Sequence, residues 1–350
     1  MALTEAQLRG LTRPGERPTV AQLAELLRAA GPDLELLYRT ADAVRQEVMG
    51  EEVFLRGIIE FSNYCRNDCA YCGIRKSNRG VGRYRMTPEE IVEVAEHAKG
   101  WGCTTVVLQS GEDPWYTAPR LCAILERIKS HTGMAVTLSV GVRTPEELHA
   151  LHAVGCDRYL LRFETSDRAI FAAIHPDESF DQRIQCLRDL RAAGIQVGSG
   201  FMIGLPGGTL ETIAADLLFA TELDLDMIGC GPFIAHPDTP LGERPLLDDR
   251  EVYFKTISLL RLLNPSSHIP ATTAFDALAP GGRDRLLQVG CNVFMPNLSP
   301  AKYRKLYQLY PGKPCVDEDG AACAICVQGR IARLGRRVGQ GPGHSRKRRV

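Results

Sequence analysis

The sequence is bounded first by what is missing from it. No stretch of its 350 residues reaches the ~18 uninterrupted apolar side chains that a membrane helix requires, so a helical span is excluded. The opening residues, MALTEAQLRG, hold no basic segment followed by an apolar run, which predicts a soluble, cytoplasmic protein. Net charge is absent as well: 42 Lys and Arg face 42 Asp and Glu, so no overall field recruits nucleic acid or an anionic membrane. The local exception, Arg346-Lys347-Arg348-Arg349, follows Gly and Pro without any apolar period and reads as a solvated, mobile tail.

What is present is a chain rich enough in apolar residues to bury a large core, and 12 cysteines that, without an export signal, point to thiols or metal ligands instead of a disulfide scaffold. The first fifty residues read as helices: Thr19 caps VAQLAELLRAA, Gly31-Pro32 ends it, and Asp33 caps LELLYRTADAVRQEVMG. Then short β-rich runs alternate with amphipathic helical runs. The strands are 53–61, 104–109, 135–140, 158–163, 196–203, 227–233, 268–273 and 292–295; helices between them span 88–100, 119–131, 145–154, 180–193, 210–223 and 248–263. Alternation of this count and length predicts an α/β fold, a closed (β/α)₈ TIM-type barrel over 51–312, with a helical N-terminal cover (1–50) and a C-terminal segment (313–350). The rival, a doubly wound open sheet, requires a G-x-G-x-x-G turn after the first strand, and none follows Phe61.

A cysteine loop follows instead. Cys65-x3-Cys69-x2-Cys72 falls at the strand's C-terminal end, the catalytic rim of a barrel. Three thiolates bind three irons of a cubane and leave the fourth open. A dithiol redox pair at Cys69 and Cys72 leaves Cys65 unexplained. Structural zinc needs a fourth ligand that the loop through Arg83 does not offer. Core cysteines do not cluster beside Asn, Asp and Arg. The others (Cys103, Cys122, Cys156, Cys186, Cys230 and Cys291) are single and apolar in setting, and read as core thiols. His175 and His236 each precede Pro, which suggests a surface or turn role.

With Tyr71 as the aromatic of C-x3-C-x-aromatic-C, the loop resembles the hallmark of radical S-adenosylmethionine (SAM) enzymes. The resemblance implies a [4Fe–4S] cluster on Cys65, Cys69 and Cys72, its open iron chelated by SAM, and one-electron cleavage to methionine and a 5′-deoxyadenosyl radical. It further implies SAM contacts from Gln109, Ser110, Gly111 and Glu112 after the second strand, and from Ser139, Glu164, Arg183 and Met202. The segment Gly198–Gly207 resembles the one that lies against adenine. Alternation points Arg162 and Glu164 to one side, either toward the cavity or into a mutually neutralising pair.

Later segments, among them VVLQSGEDP, DRYLLRFET, GPFIAHPDTPL, IPATTA and MPNLSPAKYRKLYQLYPGK, resemble the [FeFe]-hydrogenase maturation branch of the same superfamily. That implies assembly of the H-cluster diiron subsite, with radical attack at sulfur of a cysteine-bound Fe(CO)2CN precursor. Arg162, Thr272, Thr273, Tyr307 and Tyr310 match positions around the substrate; the threonines otherwise end a strand and the tyrosines otherwise form a helical stripe. The implied partners are other maturases, a reductant protein and a small organometallic or amino-acid-derived substrate. Cys315-x7-Cys323-x2-Cys326 matches the site of a peripheral cluster, [2Fe–2S] or [4Fe–4S], or of zinc with an outside ligand. Rival readings are a methylornithine synthase, a biotin synthase, whose barrel-strand cysteines are missing from VVLQS, VTLSV and GSGFMIG, and a non-enzymatic iron–sulfur scaffold.

Overall fold

The computed structural model describes residues 3–13, 15 and 17–347. Three helices come first: α1 (Glu5–Gly10), α2 (Val20–Leu27) and α3 (Gly31–Met49). Thr4 and Thr19 cap α1 and α2 through reciprocal bonds with Gln7 and Gln22. The expected cap at Asp33 is not formed. Helix α3 starts at Gly31, because Pro32 lacks the amide proton a first turn does not need and its fixed φ suits that turn; Asp33 lies inside it and accepts from Leu3 N at 3.0 Å.

The barrel strands are β1 (Glu52–Ser62), β2 (Thr105–Ser110), β3 (Ala135–Ser139), β4 (Cys156–Leu160), β5 (Gln196–Ser199) extended by β6 (Met202–Ile203), β7 (Met227–Ile228) extended by β8 (Gly231–Pro232), β9 (Pro270–Ala271) and β10 (Val293–Phe294). The order β7-β5-β4-β3-β2-β1-β10-β9 is parallel throughout. The seam between β9 and β7 is closed by Ile228 N to His268 O and His268 N to Asp226 O, each 2.9 Å. Where one strand over 196–203 was expected, Gly200 breaks it: its φ is +156°, and a Cβ there would fall 1.9 Å from the Gly229 carbonyl, so the two strand extensions approach more closely than any side chain permits.

Helices cover the outside: α4 (Pro88–Gly100), α5 (Ala118–Thr132), α6 (Pro145–Ala153), α7 (Arg168–Ile174), α8 (Phe180–Ala192), α9 (Leu210–Glu222), α10 (Glu251–Leu263), α11 (Ala274–Leu278), α12 (Gly282–Gln288), α13 (Ala301–Arg304) and α14 (Gly320–Arg333). Thr87-Pro88 and Thr144-Pro145 open α4 and α6 with capping boxes to Glu90 and Glu147. The N-terminal helices pack on this outer layer, α2 on α9 and α3 on α10. No helix among the described residues is long and apolar enough to cross a membrane.

Of the expected tail, Arg346 is exposed while donating to Val48 O at 2.7 Å, but the residues just before it do not run free in solvent. After β11 (Arg337–Val338) pairs with the start of β1, the chain turns under the barrel. There Gly343 O accepts from Arg56 at 3.0 Å, Pro342 O from Arg158 at 2.6 Å, and Gly341 O from Thr104 at 2.8 Å, while Lys347 pairs with Asp224 at 2.6 Å. The inward-pointing arginines of β1 and β4 are buried cations that need acceptors, and the backbone carbonyls of the tail provide them. Arg348 and Arg349 lie outside the described residues.

Candidate active site

Alternation along β1 points Arg56, Ile58 and Glu60 into the barrel, with the arginine at the floor and the other two facing a cavity of about 350 Å³ at the C-terminal ends of the strands. The same cavity is lined by Cys65, Cys69 and Cys72; by Gln109, Ser110, Gly111, Glu112 and Ser139; by Arg162, Glu164, Arg183 and Met202; and by Thr272, Thr273, Tyr307 and Tyr310. The three loop cysteines and the individual residues singled out from the sequence for SAM or substrate are therefore on one wall or another of one space, whereas of the segment Gly198–Gly207 only Met202 lines it.

The cysteine loop is fixed by its own polar groups. Asn63 Nδ2 donates to Gly82 O and Leu306 O, both at 2.8 Å, and Arg83 donates to the carbonyls of Ile74 and Arg75 at 2.8 and 2.6 Å. Ala70 N bonds Ile174 O and Gly73 N bonds Leu309 O, tying the loop to the end of α7 and to the stretch after α13. Burial pushes the Cys72 thiol up to about 12 and raises those of Cys69 and Cys65 as well, and the thiols reinforce one another as neighbouring potential anions. Three soft donors that resist ionising alone are well suited to a polycationic iron cluster.

Gly111 sits against this loop: a Cβ there would lie 2.3 Å from Tyr64 O, so the turn after β2 must be glycine. Glu112 bridges Arg66, 3.0 Å away, and the Val142 amide at 3.2 Å. Arg162 Nε and Glu164 Oε2 stand 3.3 Å apart, yet neither buried atom has a hydrogen-bond partner of good geometry. Both alternatives for this pair therefore hold together: they face each other and they face the cavity. Glu164 also has φ +67°, a strained value for a side chain with a Cβ, and it is held by Gly200 O and Met202 N. Arg183 is buried; burial opposes its charge, but Glu178, Glu164 and Glu112 outweigh this and raise its pKa, and its Nε is unpartnered. Unpartnered buried polar atoms converging on a cavity are the mark of a site that awaits a polar ligand with both donors and acceptors, as the amino acid end of SAM is.

At the other end, Thr272 Oγ1 donates to Cys230 O at 2.9 Å, and Tyr307 Oη accepts from Gln109 at 3.3 Å. Glu60 and Lys313, which sequence reading missed, form a buried ion pair beside them, with Asn297 donating to Glu60 at 2.9 Å. The signal for Glu60 was available: a charge on the inward parity of a barrel strand. Lys313→Met is expected to destabilise the fold by about 3 kcal/mol by leaving Glu60 buried and unpaired, and Glu60→Gln in the same chain to recover most of it, as read by urea unfolding.

His175, expected at the surface, is buried at 3% exposure and lies 3.3 Å from Cys69 Sγ. The surface reading failed although the turn forms, closed by Glu178 N to His175 O at 3.2 Å, because α7 ends at Ile174 and delivers the following ring beneath the cysteine loop. His236 does occupy a turn, its Nδ1 accepting from Asp238 N at 3.2 Å. Among the other cysteines, Cys103, Cys156, Cys186, Cys230 and Cys291 are buried and Cys122 is half-buried.

The second cysteine group lies apart from the cavity. Cys315 Sγ, a Glu318 carboxylate oxygen and Cys323 Sγ fall within 4.8 Å of one another, whereas Cys326 is exposed one turn further along α14. The hydrogen bond from Cys315 holds the Cys323 thiol below its usual range, against its burial and with help from Arg304 and Arg283. Glu318 was not foreseen, since carboxylates near cysteines are too common in sequence to carry a signal.

Three comparisons with known proteins agree with this geometry. The family model for the radical SAM superfamily matches residues 59–220. The [FeFe] hydrogenase maturase subunit HydE of Thermotoga maritima is 49% identical over 306 residues, 87% of each chain. The 3-methylornithine synthase of Methanosarcina barkeri is 32% identical over 270 residues, 76% of this chain and 75% of its own. The crystal structure of methylornithine synthase (PylB) superposes with a TM-score of 0.83 at 28% identity, covering 96% of this chain and 97% of the other. The chain belongs to the radical SAM superfamily and, within it, to the family of the [FeFe] hydrogenase maturase subunit HydE.

Proposed function

We propose that this radical SAM enzyme acts in [FeFe]-hydrogenase maturation, on a small cysteine-bearing iron complex with CO and cyanide ligands held in the barrel cavity. The observation that carries the reading is the sharing of one cavity of about 350 Å³ by the cysteine loop, the strand-end polar set and the Arg162, Thr272, Thr273, Tyr307 and Tyr310 set. As a member of the superfamily it uses a [4Fe–4S] cluster and SAM, which when bound supply a carbon radical by one-electron reductive cleavage of the sulfonium.

Cys65, Cys69 and Cys72 would hold three irons. The Gln109-Ser110-Gly111 turn offers backbone acceptors to an amino group, while Glu164 and Arg183 offer a carboxylate and a guanidinium to the two charged ends of an amino acid. Ser139 and Met202 border the space for the nucleoside. On the far side Arg162, Thr272 and Thr273 present a cation and hydroxyls to an anionic complex, and Tyr307 and Tyr310 close the wall and exclude water. Other maturases and a reductant protein complete the setting.

Anaerobic reconstitution followed by dithionite and SAM is the first test; no 5′-deoxyadenosine would sink the radical reading and leave the iron–sulfur scaffold. Offering lysine against a cysteine-bound iron carbonyl cyanide is the second. The 32% identity to a methylornithine synthase keeps that alternative alive, and turnover of lysine would establish it. Cys315, Cys323 and Cys326, with Glu318, would hold an auxiliary metal, an iron–sulfur cluster or zinc, outside the reaction. Cys323→Ser is accordingly expected to lower metal content while leaving 5′-deoxyadenosine formation within about twofold of wild type.

A further inference from the structure

Cys69 differs from the other two loop cysteines in having an ordered histidine against its sulfur. His175 Nδ1 lies 3.3 Å from Cys69 Sγ and 2.6 Å from Glu178 Oε2, and Nε2 lies 3.3 Å from Tyr71 Oη. Arg183 grips the second oxygen of Glu178, and the ring stacks on Phe171 at 4.8 Å between centroids. The side chains of His175, Glu178 and Arg183 are buried, and Cys69 and Tyr71 are half-buried. One tautomer satisfies every contact: the Nδ1 proton is shared by Glu178 and Cys69 Sγ, and Nε2 accepts from Tyr71. The opposite tautomer would set a lone pair against both a carboxylate and a thiolate.

The atoms of Cys69, His175 and Glu178 all lie within 4.8 Å of one another, which also suits a single metal ion. Two observations favour the hydrogen-bonded reading. The 2.6 Å separation of Nδ1 and Oε2 is that of a shared proton, shorter than two ligands keep around one ion, and Glu178 is already committed to Arg183. Burial raises the Glu178 carboxyl, but His175 and Arg183 overcome it and hold the group down at about 2, so it remains an acceptor for the ring.

We propose that His175 is a positioning residue of the cluster: its Nδ1–H, oriented by Glu178, donates to the Cys69 sulfur, withdraws electron density from it and raises the cluster's reduction potential. Hydrogen bonds to cluster sulfurs stabilise the reduced, more negative state, and outer groups of this kind routinely set the properties of a metal site. A radical enzyme that must accept an electron at very low potential gains from such a donor. Tyr71, the aromatic of the cysteine motif, then contributes through its hydroxyl, which fixes the tautomer.

The inference rests on Cys69 being a cluster ligand, and the experiment separates the two. Wild type, His175→Asn, His175→Phe and Cys69→Ala are reconstituted anaerobically, assayed for iron, and titrated potentiometrically by electron paramagnetic resonance without SAM. At one fixed potential, His175→Phe is expected to show an about tenfold lower ratio of reduced to oxidised cluster, equal to about 59 mV for a one-electron couple. His175→Asn places an amide N–H where Nδ1 stood and is expected to stay within about twofold of wild type. A midpoint unchanged in His175→Phe, or lowered equally in both variants, overturns the proposal. Should the phenylalanine variant take up no cluster, ¹⁵N-histidine-labelled wild type decides: a nitrogen coupling to the reduced cluster that His175→Asn loses supports the contact, and no coupling refutes it. Cys69→Ala that retains four irons and the wild-type signal would instead remove the ligand assignment itself.

Discussion

Cys69→Ala is expected to abolish formation of 5′-deoxyadenosine, lowering it about a thousandfold or more, and to prevent full iron loading; chromatography of the nucleoside and iron analysis read the two effects. The three thiols act as a unit, so Cys65→Ala or Cys72→Ala should cost as much as Cys69→Ala, and any double replacement little more than a single one. Cys122→Ala provides the contrast. That thiol is half-buried on α5, away from the cavity, and its loss should leave both readouts unchanged. A Cys69→Ala protein that still produced 5′-deoxyadenosine would separate the loop from the chemistry, whatever the resemblance of its spacing.

Parts of this molecule were legible because they obey local rules. The period of the apolar residues and the Thr-Pro caps place α4 at 88–100 from sequence alone, since a capping box and an amphipathic face leave little freedom. The cysteine loop was equally plain, because its three thiols fall within one short segment at fixed spacing. The strand-end residues Arg162 and Glu164 could be assigned to a common side, but whether they faced a cavity or only each other depended on which partners lay within reach, and that is a property of the closed barrel. His175, Glu178, Glu60 and Lys313 illustrate the same limit more sharply. Lys313 is 253 positions from Glu60, and no periodicity links them. His175 looked like a turn residue since His-Pro usually is one; what buries it is the path of the cysteine loop over the end of α7. Close approaches were likewise invisible: Gly200 read as part of a strand, and the nearby Gly229 carbonyl that forbids a side chain there was nowhere in the local sequence.

Ending the chain after Gln340 is expected to lower stability by about 4 kcal/mol, a large share of the 5–15 kcal/mol typical of a domain, and to lower the melting temperature by roughly 10 °C. The loss arises at the floor of the barrel. Arg56 would lose the Gly343 carbonyl, Arg158 the Pro342 carbonyl and the His344 ring, Thr104 and Thr105 the carbonyls of Gly341 and Pro342, and His268 the His344 carbonyl. Burial, with repulsion from the nearby Arg158, already lowers the Arg56 pKa. Water entering the opened floor would solvate some of these donors, which keeps the expected loss well below the sum for six lost hydrogen bonds. The Lys347–Asp224 pair adds little, because Asp224 is largely exposed. Packing contributes too: Gly343 has φ +58°, and a Cβ there would lie 2.7 Å from the Phe54 ring, so the tail fits this floor as glycine only. Since the floor and the mouth are opposite ends of the barrel, the truncated protein at low temperature should still load iron and cleave SAM. Arg158→Met should weaken the effect of truncation, because the group that the tail satisfies is then already gone. Equal losses on truncation in wild type and Arg158→Met, or an unchanged melting temperature, would mean that the carbonyls of residues 341–344 do not stabilise the barrel through its buried arginines.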